Sequence, residues 1–392
     1  MATGPAIEVR SYELGRVPRI ISGPDALNSL IPAVAGLGSS GAVLIVDEGV
    51  ALVGYADTIA AVLRDVPLIQ HVVARGEPTV GSVDAAADVV RSMPGAVVVA
   101  VGGGSALDTA KQAAVVSMGA AGIGHYLLCA NPFVGRRPVI AIPTTSGTGA
   151  EVTRTCIVSD GSGRKSWTWG DEMLPDVVLL DPRATVTMPA HVTAATGLDA
   201  FVHALEACTG QRRNTLSAAQ AAAALQLVAR HLPAAVEDGA DLEARQGMQE
   251  AALLAGMAID NCGTGIAHSI GHALGSLYHV PHGVAVSVAL DAAMDWNIAG
   301  APDAFATAAT ALNTSVSGLS GALRNLFAAT AFPSVVERIS AETFDPSAIA
   351  EMMIAVENRP MLENNCRVVD EAARRDLAQR TVQSWSRFRA AA

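Results

Sequence analysis

No C-x-x-C pair occurs among the five cysteines, Cys129, Cys156, Cys208, Cys262 and Cys366. An odd, scattered set of thiols argues against a disulfide framework and against a thiolate zinc site. It implies a reducing compartment, so the chain is expected in the cytoplasm. Basic clusters are also missing. No basic run is longer than a pair such as Arg212-Arg213 or Arg374-Arg375, in a chain whose net charge is −11. Phosphate contacts need clustered Lys and Arg, so nucleic acid is not an expected partner. The chain is 51% hydrophobic, yet no uninterrupted apolar stretch reaches the length of about 18 residues that a membrane span requires. The opening MATGPAIEVR lacks the charged-then-apolar pattern of a secretory signal. Internal repeats and low-complexity linkers are absent as well.

What is present is enough chain for two cores. A length of 392 residues exceeds one ordinary core, and two domains of roughly 200 residues are expected. In the first half, AVLIVD (42–47), AVVVAVGGG (96–104) and PVIAIPTT (138–145) are apolar runs of strand length. Such runs suit parallel strands buried on both faces. Helical segments at 83–93 and 105–118 separate them, and this alternation implies a doubly wound parallel sheet. EVTRTCIVSD, GSG and RKSWTWG (151–170) read as a hairpin with a glycine turn. Beyond Met188-Pro189 the sequence turns Ala- and Leu-rich with helical spacing. The expected architecture is therefore an α/β domain over 1–188 and an all-helical domain over 189–392, with a cleft between domains as the default place for a site.

Two loops in the first half carry ligand-binding chemistry. AVVVAVGGGSALDTAK (96–111) is a strand, three glycines and a helix start. Gly102, Gly103 and Gly104 allow close backbone approach, and the helix N-terminus offers free N–H groups and a positive dipole end to a phosphate. Ser105 with Asp108 matches an S-x-x-D capping box. The run is neither a G-x-G-x-x-G fingerprint nor a Walker loop, and a well-capped glycine turn is the alternative reading. PTTSGTGAEVT (143–153) follows the next strand. In open α/β sheets, ligands sit at the carboxyl ends of strands, so two polar glycine loops after successive strands point to a dinucleotide. Asp47 ends an earlier strand. A carboxylate there can bind an adenosine ribose and repel a 2′-phosphate, favouring NAD over NADP, although Asp is also common as a strand-end turn residue.

The second half concentrates histidine. AHSIGHALGSLYHVPHG (267–283) holds His268, His272, His279 and His282, four of nine in the chain. His268 and His272 are spaced i,i+4, as are Asp199 and His203 in GLDAFVHALEA (197–207). Residues four apart share a helix face and can chelate together. Pro281 breaks the chain just before His282. One carboxylate with two or three imidazoles and no cysteine suits Fe(II), Zn(II), Ni(II), Co(II) or Mn(II). Such an ion would act as a Lewis acid on an alcohol or carbonyl oxygen.

GGGSALDTAK, IPTTSGTGAEVT, GLDAFVHALEA and GTGIAHSIGHALGSLYHVPHG resemble, in order and spacing, the signature segments of the iron-dependent (group III) alcohol dehydrogenases. The likeness runs from about residue 18 to 367. It implies a dehydroquinate-synthase-like fold with an NAD-binding α/β domain and a helical metal-binding domain. It also implies an NAD(H)- and metal-dependent alcohol dehydrogenase or aldehyde reductase acting on a small primary alcohol/aldehyde pair. By resemblance the metal, Fe(II) with Zn(II) as the alternative, falls on Asp199, His203, His268 and His282. His272 takes the place of the proton-relay histidine, and His279 matches no ligand position. The cofactor positions are Asp47, Gly102, Gly103, Gly104, Ser105, Asp108, Thr144, Thr145, Thr153 and Lys165. Members form dimers and larger assemblies, so a homo-oligomer is expected. Several positions depart from the family pattern: Ile259 stands where an aromatic is common, Cys366 where proline is, and Trp167 and Trp169 where smaller residues are. Arg154 could attract an anionic aldehyde, although strand alternation can equally turn it to solvent. The alternatives are a dehydroquinate-synthase-like lyase, which would need a basic cluster that the second half lacks, and a non-enzymatic metal- and nucleotide-binding scaffold.

Overall fold

The structure, a computed structural model, describes residues 11–161, 164–340 and 343–392. The stretch MATGPAIEVR and part of the expected glycine turn at 161–163 lie outside them. Two compact units are present, Gly15–Met188 and Pro189–Ala392, with residues 11–14 grouping with the second.

In the first unit six strands form one parallel sheet. They are β1 (Arg19–Ser22), β2 (Ala42–Asp47), β3 (Leu68–Val73), β4 (Val97–Gly102), β5 (Val139–Pro143) and β8 (Val177–Leu180), in the spatial order β1-β8-β5-β4-β2-β3. The runs expected at 42–47, 96–104 and 138–145 are β2, β4 and β5. Every residue of β4 and β5 is buried, which is why they carry no polar alternation. Helices α1 (Leu30–Gly36) and α3 (Tyr55–Val62) contribute Leu30, Val34 and Ile59 to one core with Leu44, Val46, Val99, Val101, Ile140 and Ile142. Between them lies the short α2 (Glu48–Leu52). Helices α4 (Val80–Ser92) and α5 (Gly104–Val116) pack on β2 to β5. The expected hairpin is β6 (Thr155–Ser159) antiparallel to β7 (Lys165–Trp169). Strands β1, β3 and β8 add to what the sequence pattern suggested.

The chain leaves β2 outward to β3 and returns to β4 on the other side of β2. The strand order therefore reverses between β2 and β4, and in open α/β sheets ligands bind at the carboxyl ends of strands flanking such a reversal.

The second unit is helical, with no strand after Leu180 among the described residues. It begins with α6 (Ala190–Thr209), α7 (Thr215–Glu237), α8 (Leu242–Cys262), α9 (Ile266–Tyr278) and α10 (His282–Gly300), and further helices continue to Ala390. Helix α6 is buried continuously from Gly197 to Thr209, and α9 from Ile266 to Gly275. A helix buried all round is a core helix, so polar side chains on α6 and α9 need partners inside the protein.

Candidate active site

Four side chains converge inside the helical unit. Asp199 and His203 stand one turn apart on α6, His268 lies near the start of α9, and His282 is the first residue of α10. His279 caps the end of α9 in the left-handed region, with φ of 53°, and Pro281 is the N-cap of α10. Two glycines allow the three helices to approach closely. A Cβ on Gly271 of α9 would lie 3.1 Å from Val286 N of α10, and one on Gly283 of α10 would collide with Ala195 O of α6.

Asp199 Oδ1 lies 3.7 Å from His203 Nε2, 3.8 Å from His268 Nε2 and 3.6 Å from His282 Nε2. These separations are too long for hydrogen bonds. Ligands bound at ~2.1 Å to one cation in tetrahedral geometry are roughly 3.4 Å apart, close to the observed spacing. Asp199 Oδ1 is buried and receives no hydrogen bond, a costly arrangement unless a cation completes it. Ligand atoms of Asp199, His203, His268 and His282 all fall within 4.8 Å of one another. This donor set fits a divalent ion. The His282 side chain is 26% exposed, against 2% to 5% for the other three, so the group opens on the His282 side.

His268 Nδ1 lies 2.6 Å from Glu206 Oε2, and Glu206 also accepts hydrogen bonds from Gly265 N (2.8 Å) and Ala267 N (2.7 Å). Burial alone would raise the Glu206 pKa, but His268 and the two backbone donors hold it below the ordinary glutamate value. The carboxylate therefore fixes the proton on Nδ1 and directs the Nε2 lone pair toward the ion site. Glu206 received no role from the sequence. Its signal was there: positions 199, 203 and 206 follow i, i+4, i+7 on one helix face. His272 is buried one turn beyond His268, its ring 6.3 Å from that of His268 and 5.6 Å from that of His282. It sits beside the ligand group without belonging to it.

In the sheet unit, some of the expected cofactor positions stand at three neighbouring strand ends, while Asp108 lies within α5, Thr153 just before β6 and Lys165 at the start of β7. Asp47 ends β2, Gly102 ends β4, and Thr144 follows β5, with Gly102 paired to Pro143 and Thr144 N donating to Gly102 O at 2.9 Å. Gly103 abuts the Thr145 side chain and Gly104 that of Thr148, so the glycine and threonine loops face each other. Ser105 lies in the first turn of α5. Asp47 caps α2, accepting from Val50 N at 3.2 Å. Lys165 Nζ pairs with Glu77 Oε1 at 2.8 Å.

The capping-box expectation is corrected. The N-cap of α5 is Gly103, which makes no side-chain cap bond. Asp108 instead accepts from Ile157 N at 2.9 Å and lies 3.4 Å from Lys111 Nζ. A backbone donor on β6 reaches the carboxylate, so Asp108 ties the hairpin to α5. Arg154 is also neither solvent-facing nor a bare cation. Its side chain is 12% exposed, lies over the Trp169 ring at 4.8 Å and pairs with Asp171 at 3.4 Å. Ile259 packs against the helical core.

Residues 18–182 match the iron-containing alcohol dehydrogenase family, and residues 193–369 match the Fe-containing alcohol dehydrogenase family, C-terminal part. The chain is 32% identical to an NAD-dependent methanol dehydrogenase of Bacillus methanolicus, over 89% of this chain and 91% of that protein. The chain belongs to the iron-containing alcohol dehydrogenase family. A 1,3-propanediol dehydrogenase of Klebsiella pneumoniae is 31% identical over 87% of this chain and 88% of its own. The crystal structure of a 1,3-propanediol oxidoreductase superposes with a TM-score of 0.83 at 29% identity, covering 95% of this chain and all of the other. The fold is thus the dehydroquinate-synthase-like fold of this family. The protein is an NAD-dependent alcohol oxidoreductase with a divalent metal, and neither the lyase nor the scaffold reading is favoured. No helix among the described residues is long and apolar enough to cross a membrane.

Proposed function

We propose that the enzyme interconverts a small primary alcohol and its aldehyde, with Asp199, His203, His268 and His282 holding the metal and His272 moving the proton. One observation carries the metal assignment: the buried Asp199 Oδ1, without a hydrogen bond, stands 3.6 to 3.8 Å from three imidazole Nε2 atoms. The bound ion supplies Lewis acidity, lowering the pKa of an alcohol or polarising an aldehyde carbonyl. Glu206 keeps His268 in the tautomer that can ligate. Bound NAD+ would supply the hydride acceptor, and in our reading a ring nitrogen of His272 would accept the proton that alcohol oxidation releases.

The glycine and threonine loops are the proposed cofactor cradle. Free N–H groups at the start of α5 would hold the phosphates, with hydroxyls from Thr144, Thr145 and Thr153 and with Lys165 on the hairpin side. Asp47 would accept from an adenosine ribose hydroxyl, which would favour NAD over NADP. A carboxylate has about four acceptor sites, so the cap bond to Val50 N leaves capacity for this. We further propose a cytoplasmic homo-oligomer. The five free cysteines support a reducing compartment, and light scattering tests the assembly.

The deciding experiment strips the metal with a chelator and assays NADH oxidation with a panel of short aldehydes. Fe(II) and Zn(II) are then restored separately. Activity should vanish and return; full activity in metal-free protein would overturn the assignment.

A further inference from the structure

Lys111 has a role that neither the metal site nor the cofactor contacts require. It projects from α5 about two turns beyond the glycine run and is 1% exposed. Its Nζ donates to Ala150 O at 2.7 Å and Thr153 O at 2.9 Å, and lies 3.4 Å from both Thr155 O and Asp108 Oδ1. An ammonium has three donors and no acceptor, so several carbonyls can share one buried charge. Those carbonyls belong to the returning limb of the threonine loop, where it enters β6. The outgoing limb meets the same helix at its other end, where Thr145 and Thr148 touch Gly103 and Gly104. One turn beyond Asp108, Gln112 Nε2 donates to Ile157 O at 3.3 Å. A single face of α5 thus holds both limbs of the loop and the hairpin that follows.

We propose that Lys111 is a positioning residue for the cofactor: its buried ammonium fixes the returning limb of the threonine loop and thereby sets NADH affinity without touching NADH. This rests on the assignment of that loop to the cofactor. A neutral side chain of similar length would leave the buried carbonyls of Ala150 and Thr153 without their donor, and such groups move until water or another donor reaches them. The loop would then be disordered before binding, and binding would have to order it. Chemistry at the helical unit would be untouched once the cofactor is bound.

The test uses the full chain with Lys111→Met, Lys111→Arg and Thr145→Val. NADH binding is titrated by fluorescence, metal affinity by chelator competition, and kcat and KM by aldehyde reduction. Lys111→Met should weaken NADH binding by roughly tenfold or more, raise KM for NADH in step, and leave metal affinity and kcat at saturating NADH within about threefold. Amide exchange across 144–155 should accelerate in the same variant. Lys111→Arg, which keeps the charge and donors in a bulkier fork, should fall between the two, and it carries the test if the methionine variant does not fold. Unchanged NADH affinity in a folded Lys111 variant, with Thr145→Val weakened, would reduce Lys111 to a purely structural tie and overturn the proposal. Unchanged affinity in Thr145→Val as well would show instead that the loop is not the cofactor site, and the proposal would fall with that assignment.

Discussion

Replacing Glu206 by Gln isolates the contribution of a group that never contacts the metal. Glu206 receives three donors: Gly265 N and His268 Nδ1 on Oε2, and Ala267 N on Oε1. Gln has one acceptor oxygen. Its better orientation puts that oxygen at the Oε2 position, keeping His268 and Gly265, and turns the NH2 group toward the Ala267 N–H. The change removes one bond outright and makes the other two neutral where they were charge-assisted. Hydrogen bonds to a charged group contribute about 1.5 to 3 kcal/mol and neutral ones about 1 kcal/mol. The His268 part of that difference acts directly on the ligand, through its orientation and basicity. Losing such an outer partner typically costs about 10- to 100-fold in metal affinity, or about 1.4 to 2.7 kcal/mol. Apoprotein would be titrated with Zn(II) against a competing chelator and with Co(II) by its visible spectrum. Glu206→Gln should bind both more weakly by that factor, and Glu206→Ala, which leaves Nδ1 without the carboxylate, should be weaker still. An affinity unchanged within about threefold, in a variant series where Asp199→Asn abolishes binding, would refute the role given to Glu206.

His272→Ala should lower kcat by about 10²- to 10⁴-fold while leaving metal affinity intact; unchanged turnover would remove the proton-relay role. Gly283→Ala places a methyl against Ala195 O and should destabilise the helical unit by about 1 to 3 kcal/mol, read as a lower Tm together with weakened metal binding. Burial raises the Glu151 carboxyl from 4.5 to about 7 against the pull of its own backbone amide and Lys111. Its folded form therefore binds a proton more tightly than its unfolded form, and the stabilisation is complete below about pH 4.5 and lost as pH rises through about 7, to the extent of about 3 kcal/mol. Denaturant midpoints measured across that window should drift downward with pH in the native protein and flatten in Glu151→Gln. NADH should be preferred over NADPH, and Asp47→Gly should narrow the gap; a native preference for NADPH would contradict the role of Asp47.

The strands that the sequence revealed and those it hid differ in length or in edge exposure. Residues of β4 and β5 are buried without exception, so AVVVAV and PVIAI appear as unbroken apolar runs. The edge strand β3, LIQHVV, is half exposed with only Val73 fully buried, and Gln70 and His71 interrupt its pattern. The other two hidden strands, β1 and β8, are each four residues long, too short for periodicity to stand out from a loop. Length and edge position set the limit on legibility. The hairpin was visible because its two strands are joined locally, and the helical half because its Ala- and Leu-rich segments run 13 to 23 residues, far longer than strands.

For the site, the legible part was whatever a single helix could place on one face. Asp199 with His203 needs only the i,i+4 rule. Joining that pair to His268 and His282 needs three helices in contact, and the residues that permit it are Gly271 and Gly283, whose isolated appearance in a helical pattern carries only a propensity cost. The capping box failed for a related reason. Ser-x-x-Asp describes a local exchange of hydrogen bonds, but the donor that captures Asp108 is Ile157 N, 49 residues away. Asp108, Lys111 and Glu206 all lie inside motifs to which the proposed function gives cofactor or metal contacts, and each is bound to backbone groups of a later segment. On that proposal such a motif combines two functions that sequence alone does not separate: some positions would meet the ligand, and others hold the segments around it. Substitution can separate them, because contact residues should change catalysis or binding directly, whereas Lys111 and Glu206 should change affinity and leave the saturated reaction nearly intact.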